Sequence, residues 1–141
     1  MLTATTTIRV RYGETDQMGY VYYGNYAEFF EVARVEMLRD LGFSYKEMEA
    51  TGVMMPVLEY KSKYLKPAKY DELLTIKTSI TELPNTRICF NFEVFNELNV
   101  LINISQATLV FVNTQTSRPC LAPAVLQAVF DAAFLHKQPS Q

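Results

Sequence analysis

The run Asn25-Tyr26-Ala27-Glu28-Phe29-Phe30-Glu31-Val32-Ala33-Arg34-Val35-Glu36-Met37-Leu38-Arg39-Asp40-Leu41-Gly42 decides the fold class. Turning by 100° per residue gathers Tyr26, Phe29, Phe30, Ala33, Met37, Leu38 and Leu41 on one broad face and sets Glu28 and Arg39 opposite. Val32 and Val35 add apolar surface even on that opposite side. A stripe this wide predicts a helix lying deep against a sheet. Asn25 is the expected N-cap, with Glu28 three residues on as in a capping box, and Gly42 the left-handed residue that ends the helix. Arg34 falls inside the apolar arc, where a guanidinium needs a partner to offset its desolvation. Glu31, three positions earlier, is the expected partner, and its other reading is a second candidate base.

Strand patterns surround this helix. Residues 5–12 alternate, with Ile8, Val10 and Tyr12 on one side and Arg9 and Arg11 on the other. A short helical piece spans Tyr45–Thr51, and Leu58, Tyr60, Ser62 and Tyr64 alternate with Val57, Glu59, Lys61 and Lys63 between Pro56 and Lys66. Leu74, Ile76, Thr78 and Ile80 mark a further strand, and Ile88, Phe90, Phe92 and Val94 another. The stretch from Val100 to Val112 is apolar on both faces, with Val100, Ile102, Ile104, Val110 and Val112 on one side and Leu101, Leu109 and Phe111 on the other. It is expected to be central in the sheet or covered by a partner subunit. Pro123 is expected to open a final helix with Val125, Leu126, Val129, Phe130, Ala133 and Phe134 as its stripe. Short connections predict antiparallel neighbours throughout, and hence an α+β domain with one antiparallel sheet of about five strands covering one long helix.

Composition narrows the function. The chain has 141 residues, expected to form a single domain over 1–141, with 49% apolar residues and a formal net charge of −2. Neither a basic field for nucleic acid nor an apolar run for membrane insertion is present, and the N-terminus resembles no secretory signal, so a cytoplasmic protein is expected. Cys89 and Cys120 lack metal-site spacing and read as reduced thiols, and no metal ligand set is expected. The single histidine, His136, lies near the C-terminus, which disfavours every mechanism built on imidazole. Acid–base chemistry then falls to carboxylates, lysines, thiols or tyrosines.

The segment from Asp16 to Tyr26 places a carboxylate in a glycine-flanked loop just before the helix. A helix N-terminus offers unpaired N–H groups and the positive end of the macrodipole, which suit a developing oxyanion. A nearby carboxylate then serves as nucleophile or general base. The same residues also fit a plain turn in which Asp16 caps a loop and Gly19 and Gly24 supply permissive dihedrals.

A resemblance bears on this choice. Residues Arg11 to Tyr26, continuing through Phe29-Phe30-Glu31-Val32-Ala33-Arg34, resemble the signature of hotdog-fold acyl-CoA thioesterases of the 4-hydroxybenzoyl-CoA and Tol-Pal-associated type. Tyr64-Leu65-Lys66-Pro67-Ala68 with Asp71, and Arg118-Pro119 with Pro123, extend the match over roughly residues 7 to 123. The resemblance implies that Asp16 attacks the thioester carbonyl or activates water. It also implies that the backbone N–H of Tyr23 polarises that carbonyl, although many relatives carry histidine at this position. Gly19, Tyr20, Tyr22 and Gly24 are candidate lining of the acyl pocket. Lys61, Lys63, Lys66 and Arg87 are candidates for the phosphates of CoA. The family further implies homodimers or homotetramers with sites between subunits, and no cofactor beyond the CoA of the substrate. A non-catalytic module binding acyl-CoA or acyl carrier protein is the alternative on the same fold.

Overall fold

A computed structural model describes residues 1–137. Strand β1 (Leu2–Arg9) is followed by helices α1 (Asn25–Asp40) and α2 (Tyr45–Ala50). Then come β2 (Val53–Met54), β3 (Val57–Tyr64), β4 (Leu73–Ile80), β5 (Arg87–Phe95), β6 (Leu101–Val110), β7 (Val112–Asn113) and α3 (Ala124–Lys137). Five strands form one sheet in the order β1-β4-β5-β6-β3, antiparallel at every pairing, while β2 pairs with β7.

The period-two pattern sorts the sheet into two faces. Leu74, Ile76, Thr78 and Ile80 of β4 and Ile88, Phe90, Phe92 and Val94 of β5 all point inward and are buried, as expected. Helix α1 covers this face with Tyr26, Phe29, Phe30, Ala33, Met37 and Leu38, and the Phe30 ring stacks on Phe92 with centroids 4.4 Å apart. The helix has 16 residues and shares its role with α3, whose Leu126 and Phe130 enter the same core. Val125, expected on that stripe, is exposed instead. No helix among the described residues is long and apolar enough to cross a membrane.

Several expectations are corrected. Asn25 does not cap α1: Gly24 holds the N-cap position without a side-chain bond, and Asn25 Nδ2 donates to the Glu14 carbonyl at 2.8 Å. The other end follows the pattern, since Gly42 has φ +89° and the N–H of Phe43 reaches the Leu38 carbonyl at 2.9 Å. Arg34 is buried as anticipated, but it forms no ion pair with exposed Glu31 among the described residues. Its Nε donates to the Tyr45 hydroxyl at 3.4 Å.

Strand β1 starts at Leu2 and ends before Tyr12, which is exposed because the chain bends at Tyr12–Glu14. β3 and β4 are consecutive in the chain but not adjacent in the sheet, so the rule that short connections join neighbours fails there. Residues 65–72 cross the end of the sheet, a gap of three strand spacings or roughly 14 Å, which eight residues span with ease. In β6, Ile102 is an extra residue where Val94 pairs with Asn103 and Phe95 with Leu101. The bulge reverses parity, so Ile102 and Asn103 are both buried while Ile104 is 44% exposed. β6 is interior, flanked by β5 and β3, and the two edge strands of the sheet are β1 and β3.

Candidate active site

The loop after β1 is tied down at several points. Asp16 Oδ1 accepts from the N–H groups of Met18 at 2.9 Å and Tyr20 at 3.2 Å, and its backbone N–H donates to the Tyr20 carbonyl at 2.8 Å. Gly19 supplies the left-handed residue this tight loop requires, with φ +81°. The carbonyl of Glu14 receives both the Tyr22 N–H and the Asn25 side chain, which fixes the loop to the first turn of α1. Val21 donates to the Ala68 carbonyl at 2.8 Å, so the segment following β3 is held against the same loop.

These ties create an open groove of about 320 Å³ whose lining includes Asp16, Tyr20, Tyr23, Tyr26, Tyr64 and Lys66. Asp16 is half-buried, and its Oδ2 has no hydrogen-bond partner among the described residues. The Tyr23 N–H, just before α1, likewise donates to no protein group among the described residues. The Tyr64 ring packs edge-on against Tyr26 and Tyr23, and its hydroxyl donates weakly to the Tyr23 carbonyl at 3.5 Å. Burial pushes the Tyr26 hydroxyl up to about 12, with the Ala68 backbone opposing. Of the residues lining the groove Tyr26 is buried, at 2% exposed, whereas Met18 and Lys66 are exposed.

The other candidate residues fall in different places. Tyr22 lies outside the groove lining, is half exposed and packs against the Tyr23 ring, with centroids 4.7 Å apart and the planes tilted by 39°. Gly24 has ordinary helical dihedrals, and its requirement is steric: a Cβ there would meet the Tyr22 ring at 2.9 Å. Lys61 and Lys63 project from the outer face of β3, where with Asn91, Ile104 and Gln106 they border a second groove of about 440 Å³. That groove lies on the sheet face opposite α1, away from Asp16. Arg87 begins β5, seven positions from Val94, which is level with Tyr64; at ~3.3 Å per residue the two ends are roughly 23 Å apart. Sequence reasoning assigned Tyr26 to the core and Tyr64 to a strand face, and missed both as groove lining. The signal for Tyr64 was present in the Tyr64-Leu65-Lys66-Pro67-Ala68 motif.

Comparison with known proteins shows the family. The model of the Thioesterase-like superfamily matches residues 10–130, and the chain belongs to that superfamily. The Escherichia coli O6:H1 acyl-CoA thioester hydrolase YbgC is 35% identical over 123 residues, covering 87% of this chain and 92% of its own. A DHNA-CoA thioesterase from Staphylococcus aureus superposes with a TM-score of 0.88 at 32% identity, over 99% of this chain and 98% of the other. The Thermus thermophilus protein TT1821 gives a TM-score of 0.85 at 32% identity over 93% and 97%. The neighbours include hotdog-fold thioesterases, and the α+β sheet described above is similar to theirs.

Proposed function

We propose that this chain is an acyl-CoA thioesterase that hydrolyses its substrate to a free acid and CoA as one catalytic domain over residues 1–141. The observation that carries the reading is the joint presence, at one groove, of the unpartnered Asp16 Oδ2 and the unpartnered Tyr23 N–H. In this mechanism the thioester carbonyl accepts the Tyr23 N–H, and Asp16 either attacks the carbonyl carbon or takes a proton from the attacking water. The tetrahedral intermediate collapses with cleavage of the carbon–sulfur bond. If Asp16 is the nucleophile, water then hydrolyses the resulting anhydride. No oxidation state changes, so water suffices as second substrate and no redox cofactor is needed, and the proposed mechanism uses no metal.

Tyr26 and Tyr64 form the inner wall against the acyl group. Tyr20 and Tyr22 flank the entrance, with Gly19 and Gly24 shaping the backbone around it. Lys61 and Lys63, on the far face of the edge strand β3, are the proposed partners of CoA phosphates that pass round that edge, and Arg87 reaches the ligand only from a second subunit. A homodimer or homotetramer is supported by β3, an edge strand whose Val57 and Leu58 are each 52% exposed, with Tyr64 at 46%. We read the enzyme as cytoplasmic.

Incubation with acetyl-, octanoyl-, benzoyl- and dihydroxynaphthoyl-CoA in the presence of a thiol-detecting dye tests the reading. Release of thiol from at least one is expected. Binding without release from any would favour the non-catalytic module.

A further inference from the structure

We propose that Lys66 is a further catalytic residue, whose ammonium group stabilises the thiolate that departs when the carbon–sulfur bond breaks. The proposal rests on the acyl-CoA hydrolase reading above. Lys66 borders the same groove as Asp16 and Tyr23 and is its one cationic side chain among the described lining residues. It forms no ion pair with Asp16 or with any other carboxylate among the described residues, which leaves room for substrate atoms between the two charges. Its backbone is held firmly: the N–H groups of Leu65 and Lys66 both donate to the Ile102 carbonyl, at 2.9 and 3.1 Å, where the chain leaves the sheet.

Position distinguishes this role from phosphate binding. The pantetheine arm of CoA has the length of about four extended residues, so its first phosphate lies roughly 14 Å from the sulfur. A lysine bordering the 320 Å³ groove that holds Asp16 is therefore near the sulfur rather than the phosphates. In the proposal the acyl group packs against buried Tyr26, and the departing CoA leaves past exposed Lys66.

The chemistry calls for such a charge. Collapse of the tetrahedral intermediate moves the carbon–sulfur electron pair onto sulfur, creating a full negative charge. The single histidine of the chain belongs to the last turn of α3, remote in sequence from the loop that carries Asp16. In this role the Lys66 ammonium acts by its charge and transfers no proton. The thiolate then takes a proton from solvent, completing acyl-CoA plus water to carboxylate, CoA thiol and one proton.

Lys66→Met and Lys66→Arg test this, using the acyl group that wild-type protein cleaves fastest, presented as its CoA, pantetheine and thiophenol thioesters. For Lys66→Met we expect kcat to fall on the order of 10- to 100-fold on the CoA and pantetheine thioesters alike, with KM little changed. On the thiophenol ester, whose leaving group needs less stabilisation, the deficit should shrink to about threefold or less. Lys66→Arg should recover most of the rate. A raised KM for CoA with an unaffected pantetheine ester would overturn the proposal in favour of phosphate binding, and an unchanged kcat on all three would overturn it outright. A wild type inactive on every thioester would refute the hydrolase reading itself, whereas an active wild type with an indifferent Lys66→Met refutes only the role of Lys66.

Discussion

Asp16 has a separate duty for each carboxylate oxygen. Oδ1 holds the loop by accepting from Met18 and Tyr20, while Oδ2, without a partner among the described residues, is the oxygen that the proposed mechanism uses. Asparagine can keep the first duty and lose the second. Asp16→Asn should therefore unfold near the wild-type temperature, whereas Asp16→Ala should be less stable by about 1–2 kcal/mol, as measured by thermal or urea unfolding. Gly19→Ala tests the same loop from the backbone. With φ at +81°, it should cost about 1–2 kcal/mol and lower turnover by displacing Asp16. At this scale short spacing in the sequence located the tight loop of Asp16 and Gly19 and its approach to the start of α1 at Tyr23. The sequence was uninformative for Tyr26, because a tyrosine on an apolar stripe looks the same whether its ring borders a groove or fills the core, while for Tyr64 the signal lay in the motif and not in the strand alternation.

Helix α1 shows what periodicity conveys and what it leaves out. The buried face was legible down to individual residues, because a 100° turn maps sequence directly onto direction. Partners across space were not: Arg34 met the Tyr45 hydroxyl of α2 rather than Glu31, its neighbour along the helix. Tyr45→Phe should accordingly destabilise the fold by about 1–2 kcal/mol by leaving Arg34 without that acceptor, while Glu31→Gln should fall within ~0.5 kcal/mol of wild type. The bulge at Ile102 was equally hidden, since one inserted residue reverses the inward set without altering composition. Tyr26 adds a pH signature. Its pKa is raised in the folded state, so the neutral form is favoured there. Stability from this source is complete below about pH 10, where the unfolded tyrosine titrates, and declines as pH rises towards about 12. Tyr26→Phe should lose that part of the alkaline decline, as followed by unfolding between those limits.

On the scale of the whole molecule, fold class and most strands could be read from alternation, but strand order could not. β3 and β4 lie three strands apart yet are joined by eight residues (65–72), only a few more than the six (81–86) and five (96–100) that join true neighbours, so length alone was too weak an address. That placement matters for function, because it sets Tyr64 and Lys66 beside the start of α1 and leaves the apolar edge of β3 uncovered. Sedimentation at micromolar concentration should show a dimer or tetramer, and Leu58→Lys, placing a charge on that edge, should shift it towards monomer with loss of activity. A wild-type monomer of full activity would contradict a shared site. The site itself rests on one carboxylate beside one helix terminus. Thiol release from the best acyl-CoA by wild-type and Asp16→Asn protein, compared at equal folded concentration, tests that pairing directly. A loss on the order of 1,000-fold or more is predicted, and an Asp16→Asn enzyme turning over at the wild-type rate would contradict it.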